Sequence, residues 1–187
     1  MEKEGWIHMI RRIFAWFLVL MLMVTPALAD RQVSFFTSEA QSPQEIITSA
    51  MEMYSWFTIS PLDVDPELTG GDGSVCRVAD ELLCDYGTVM RLLDFTFSPE
   101  IVRSLMEYNT YQVIDGQLYG VGGGRGIDER ISEVFYEETE KSAERIVYTV
   151  TVYYVGVQED EAACETYEFV REPVGGLWVF TQFPFFW

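Results

Sequence analysis

Histidine is nearly absent from this chain of 187 residues: it occurs once, as His8. Catalysis that relies on an imidazole, in a Ser-His-Asp or a Cys-His site, therefore has one residue to draw on, and so does a histidine metal site. Cysteine is scarce too. Cys76, Cys84 and Cys164 are odd in number, so they do not make the closed disulfide framework of a small secreted domain. One bridge between Cys76 and Cys84 and a set of three free thiols both fit this count. With His8 the single imidazole that could take a proton, none of the three is expected to act as a nucleophile. Basic residues are few: 12 Lys and Arg stand against 30 Asp and Glu, a formal net charge of −18. Such a surface repels nucleic acid and anionic lipid and complements basic protein faces, while the same acidity serves solubility.

The chain has one sustained apolar run. Arg11 and Arg12 precede Ile13 to Val24, followed by Pro26 and then Ala27-Leu28-Ala29 before Asp30, which is the layout of a secretory signal peptide. The run is shorter than the about 20 residues that a spanning helix needs. Cleavage after Ala29 is expected, leaving a secreted chain that is released or held at the cell surface by contacts alone, with no stable membrane anchor; an uncleaved anchor is the competing reading. Cleavage would remove His8 together with Lys3, Arg11, Arg12, Glu2 and Glu4, so the remainder lacks histidine and is one unit more negative. Residues 30–41 read as an exposed lead and 42–187 as a single domain, with aromatic residues at 15% of the chain to fill its core.

Within that domain, Ser42-Pro43-Gln44-Glu45 has the form of a capping box with proline at the first helical position. The helix it opens sets Ile47, Ala50, Met51 and Tyr54 on one face and should stop near Ile59, ahead of Pro61. Residues 60–74, SPLDVDPELTGGDGS, read as a solvated acidic loop. Asp63, Asp65, Glu67 and Asp72 offer the oxygen ligands that calcium takes, but the glycine required at the sixth place of an EF-hand loop is Leu68, and no metal or cofactor is expected. A short strand at Val75–Val78 and helices at Tyr86–Phe95 and, after Ser98-Pro99-Glu100, at Ile101–Tyr108 follow. The period then changes to two. Tyr111–Ile114 and Gln117–Val121 flank Asp115-Gly116, a strong hairpin signal, and further strands are expected at Ile131–Glu138, Arg145–Gly156, Glu165–Glu172 and Leu177–Phe183. Helices followed by a meander of strands predict an α+β domain, its N-terminal helices packed on one curved antiparallel sheet.

The segment YGVGGGRGIDE, residues 119–129, sets five glycines around Arg125. It invites a phosphate-binding reading, which the spacing refuses. A dinucleotide fingerprint started at Gly120 meets Arg125 in its sixth place and one started at Gly122 meets Ile127, and no Gly-Lys-Ser/Thr ends a P-loop. The residues beyond read as a strand, so no helix dipole faces the segment. The glycines are expected to turn the chain sharply with positive φ at one or more of them, and Arg125 is expected either to pair with Asp128 or Glu129 or to face a partner.

Several stretches carry a resemblance: AMEMYSWFTISPLDVD at 50–65, FSPEIVRSLMEY at 97–108, YQVIDGQLYGV at 111–121 leading into Gly124-Arg125-Gly126, and the closing GGLWVFTQFPFFW at 175–187. Together they resemble secreted proteins of Firmicutes related to the inhibitor family of peptidoglycan DL-endopeptidases and, more distantly, the cystatin-like or NTF2-like superfold. The resemblance implies an extracytoplasmic, non-enzymatic protein that binds and restrains NlpC/P60-type peptidoglycan hydrolases, or another basic-faced cell-envelope protein. It also implies that Gly124, Arg125, Gly126 and Asp128 contribute to the contact.

A competing class is a small-ligand pocket between sheet and helices, walled by Trp56, Tyr119, Tyr148 and Trp178. A carboxylate enzyme built on Glu137 and Glu140 is disfavoured, because strict alternation along a strand points the two to opposite faces. The closing Phe183-Pro184-Phe185-Phe186-Trp187 is expected to fold back and seal the core, since an open apolar tail invites aggregation.

Overall fold

The computed structural model describes residues 41–124, 126, 128–155 and 163–187. The expected leader, residues 1–29, and the expected lead up to residue 40 lie outside the described residues, as do Arg125, Ile127 and residues 156–162, which include the end of the strand expected over Arg145–Gly156. Residues 42–187 form one compact unit. Helix α1 (Pro43–Thr58) starts from the capping box read in the sequence: the Glu45 backbone N–H donates to Ser42 Oγ at 3.3 Å, and the Ser42 N–H donates to Glu45 Oε2 at 2.8 Å. These bonds favour the charged carboxylate and hold Glu45 below the usual range for its type. The helix ends at Ile59 as expected.

The acidic stretch after α1 departs from expectation. Val64–Gly70 is a strand, β1, paired antiparallel with β2 (Val75–Val78). Pro66 and four acidic side chains gave the segment the composition of a loop. It is nevertheless an edge strand, and its register shifts between Asp65 and Thr69, the irregularity at which a proline without an N–H fits a ladder.

Helix α2 (Tyr86–Thr96) is capped by Asp85, whose Oδ2 accepts the Thr88 N–H at 2.6 Å, and α3 (Pro99–Glu107) follows Ser98. Ser98 has the extended backbone of an N-cap but makes no side-chain capping bond. Asn109, in the left-handed region at φ 52°, ends the helical segment and admits β3 (Tyr111–Ile114). The hairpin from β3 to β4 (Gln117–Gly120) turns on Asp115 and Gly116, with φ of 49° and 78°, the two positive angles of a type I′ turn.

Strands β5 (Ile131–Lys141), β6 (Ile146–Tyr154), β7 (Ala163–Val174) and β8 (Leu177–Gln182) complete the α+β domain. The class and the order of helices then strands are those expected, but the strands make two antiparallel sheets of four, ordered β1-β2-β4-β3 and β5-β6-β7-β8. The division falls at the glycine-rich segment, where Gly123 (φ 101°) and Gly126 (φ 74°) take the chain out of any ladder.

Both sheets feed one core, with Val78 and Leu118 from the first and Tyr148, Val150, Val152, Phe169 and Phe180 from the second, packed against Ile47, Met51, Leu93 and Leu105 of the helices. Phe97, which ends α2, bridges Phe180, and the Ser98 N–H donates to the Phe180 carbonyl at 2.8 Å, fastening the helices to β8. The tail seals this core as expected. The Phe183 ring lies 5.0 Å from both Phe97 and Phe169 and 4.9 Å from Phe180, Phe185 stacks on Tyr54 at 4.9 Å, and Phe186 is buried.

Candidate functional site

The glycine-rich turn is held at both ends by its own domain. A Cβ on Gly124 would lie 2.6 Å from the Ile59 carbonyl oxygen, so only glycine allows the turn to rest on the end of α1. This close backbone approach is made within the chain, between the turn and the C-cap of α1. At the other end Asp128 meets Arg130 through a two-pronged bond: Arg130 Nε to Asp128 Oδ1 at 3.0 Å and Nη2 to Oδ2 at 2.6 Å. The partner of Asp128 is thus Arg130; Arg125, the residue weighed for that role, lies outside the described residues. The guanidinium bonds hold the Asp128 carboxyl down at about 2 and raise Arg130 in turn.

Arg130 leads into a group of side chains that no local pattern announces. Its guanidinium lies over the Tyr154 ring at 6.0 Å, the Tyr154 and Tyr167 hydroxyls are 3.1 Å apart, and the Tyr167 hydroxyl donates to Glu165 Oε2. Tyr167 also stacks on Phe186 of the tail at 5.1 Å. Burial first, and then the Glu165 carboxylate, raise the Tyr167 phenol far above its ordinary value. At neutral pH it is a hydrogen-bond donor and not a nucleophile. The arrangement is a fixed polar shelf, joining the turn to the C-terminal end of the chain.

Of the four aromatics weighed as a ligand wall, Trp56, Tyr148 and Trp178 pack in or against the one core, and Tyr119 belongs to the first sheet. Tyr148 is 1% exposed and belongs to the core. Tyr119 lies over Gly70 in the first sheet, Trp56 uses its carbonyl to accept the Tyr111 hydroxyl at 2.9 Å, and Trp178 uses its carbonyl to accept Arg171 Nη2 at 2.6 Å. A small cavity of about 30 Å³ lies elsewhere, among Phe57, Tyr86, Val89, Met106, Tyr111 and Leu118; it has room for one water. Tyr111 is the polar keystone beside it: its hydroxyl accepts the Leu62 N–H at 2.7 Å while donating to Trp56, and burial pushes its phenol up to about 12.

Two of the four acidic side chains weighed for calcium accept local backbone bonds, Asp65 Oδ1 from the Glu67 N–H at 2.9 Å and Asp72 Oδ1 from the Ser74 N–H at 3.0 Å. Among the described residues no group of three or more His, Cys, Asp or Glu is placed to hold a metal ion. All three thiols are free, with Cys84 buried and Cys164 exposed.

Glu137 and Glu140 require a correction. Glu137 pairs with Thr149 and Glu140 with Val147, because the register shifts between Glu138 and Glu140. The bulge adds one residue and brings both carboxylates to the same, outer face of the second sheet. Both are exposed there, with nothing to exclude water.

No protein-family model matches the chain, and no curated protein matches it. Among the described residues no helix is long and apolar enough to cross a membrane.

Proposed function

We propose that this protein is an extracytoplasmic, non-enzymatic binding protein that restrains a basic-faced cell-envelope partner, with NlpC/P60-type peptidoglycan endopeptidases as the class named by its sequence resemblance. The observation that carries this reading is the anchored turn. Gly124 rests on the end of α1 and Asp128 is bonded through both carboxylate oxygens to Arg130, so the residues that flank Arg125 and Ile127 are positioned by their own domain. Flanks positioned beforehand reduce the entropy lost on binding, which suits an inhibitor that performs no chemistry. Net charge −18 supports association with a basic face and makes it fast at low ionic strength.

The test is an inhibition titration of a purified endopeptidase of that class at about 0.01 M and 0.1 M salt, where the Debye length falls from about 30 Å to about 10 Å. Inhibition should weaken with salt. Arg125→Ala should weaken it further while thermal stability is nearly unchanged. Absence of inhibition by the natural chain at both ionic strengths would refute the reading.

A further inference from the structure

We propose that strand β5 and the outer face of the second sheet form a docking surface for an extended, cationic segment of a protein partner. The proposal rests on the reading above and adds to it the surface used and the chemistry of what binds.

Four observations converge on this face. First, β5 is an edge strand: among the described residues β6 is the one strand paired with it, so its other edge is not taken up by the sheet. Between register shifts at Ile131/Glu133 and Glu138/Glu140 it runs regularly, Glu133 to Glu138 against Tyr153 to Tyr148. Second, Phe135 and Tyr153 are 57% and 42% exposed and meet edge to face at 5.7 Å, two large rings presented to solvent on the side away from the core. Third, alternation puts Glu133 and Glu137 on either side of Phe135 on that face, and the bulge brings Glu140 into the same row. Among the described residues no cation pairs with Glu133, Glu137 or Glu140. Fourth, the next row across is hydroxyl-bearing, with Thr149 and Thr151 on β6 and Thr166 on β7.

An aromatic pair bracketed by carboxylates recognises cations: the ring face attracts an ammonium or guanidinium, and the carboxylates complete its hydrogen bonds. Residues i and i+2 of an added strand would project onto the same face, in step with Glu133, Phe135 and Glu137. The occupant is not a second copy of this chain. Two copies meeting at β5 would set these carboxylates against each other, in a protein whose net charge is −18.

The probe is an acetylated, amidated peptide of alternating lysine and threonine, titrated into the full chain at two ionic strengths and followed by amide NMR. Shift changes should concentrate on Glu133–Glu138 and Thr149–Tyr153. Glu133→Gln with Glu137→Gln should weaken binding about tenfold. The same charge change placed on the helices, Asp94→Asn with Glu107→Gln, should weaken it less than about twofold. Shifts spread over the whole acidic surface, equal weakening by both double variants, or no binding would overturn the proposal. Endopeptidase inhibition separates it from the reading it rests on. If the natural chain inhibits and the Glu133/Glu137 variant inhibits equally well, the docking surface is refuted and the inhibitor reading stands. If the peptide binds at β5 and no inhibition occurs, the reverse holds.

Discussion

The second sheet turns two unlike faces to its surroundings, though both are made by the same four strands. On the inner face Tyr148, Phe169 and Phe180 are almost wholly buried, and Phe183 and Phe186 from the tail close over them. On the outer face, β5 and the adjoining part of β6 present Glu133, Phe135, Glu137, Thr149, Thr151 and Tyr153, most of them exposed, while Val147, Val170 and Val179 at the other end of that face are buried. One-residue alternation lets a strand carry a folding requirement and a recognition surface at once, with little coupling between the two. An aromatic residue therefore means different things on the two faces: Phe169 holds the domain together, while Phe135, more than half exposed, meets the ring of Tyr153.

Substitutions that separate the faces differ most at the centre of the core. Phe169→Ala should cost about 3–5 kcal/mol in chemical denaturation, the range for a buried aromatic that leaves a cavity. A loss below about 1 kcal/mol would mean that the tail does not depend on it. Next in size is the polar keystone between α1 and β3. Tyr111→Phe removes the partner of both the Leu62 N–H and the Trp56 carbonyl and should cost about 1–2 kcal/mol.

The pH dependence follows from the same residue. Its folded phenol titrates at about 12, against about 10 in the unfolded chain, so the folded state favours the neutral form. That contribution is complete below pH about 10 and is lost as the pH rises toward 12. A Tyr111→Phe variant should lose less stability than the natural chain over that interval.

The smallest effect is expected at the helix starts, where two serines with the same backbone geometry differ in use. Ser42→Ala should cost about 1 kcal/mol through loss of the capping box. Ser98→Ala should change stability by less than about 0.5 kcal/mol, since its hydroxyl caps nothing. Equal costs would remove the distinction drawn from hydrogen bonding.

Features governed by neighbours in sequence were legible before the structure. Ser42 to Glu45 and the Asp115-Gly116 turn each satisfy their geometry within four residues, and both stand where the sequence places them. What escaped depends on partners far along the chain. Strand β1 exists because Val75–Val78 is there to pair with it, and pairing outweighs the loop-like composition around Pro66. The common face of Glu137 and Glu140 follows from a bulge that alternation alone does not reveal. Tyr154, Tyr167 and Glu165 meet across two strands, and no spacing in either one signals that meeting. The anchored turn was half visible: its glycines announced a sharp bend, but the contact of Gly124 with Ile59 crosses 65 residues, and the Asp128 clamp chose Arg130.

The division of labour between the faces is tested most directly by removing the exposed aromatic pair and measuring folding and binding on one sample. For the full chain carrying Phe135→Ser and Tyr153→Ser, the denaturation midpoint should shift by an amount equivalent to less than about 3 kcal/mol, the edge-to-face contact adding about 0.5–1.5 kcal/mol to the loss of the rings' partial burial. Inhibition of the endopeptidase at about 0.1 M salt should meanwhile weaken about tenfold. A large fall in the midpoint with inhibition unchanged would contradict the account, because the outer face would then belong to the fold and not to recognition.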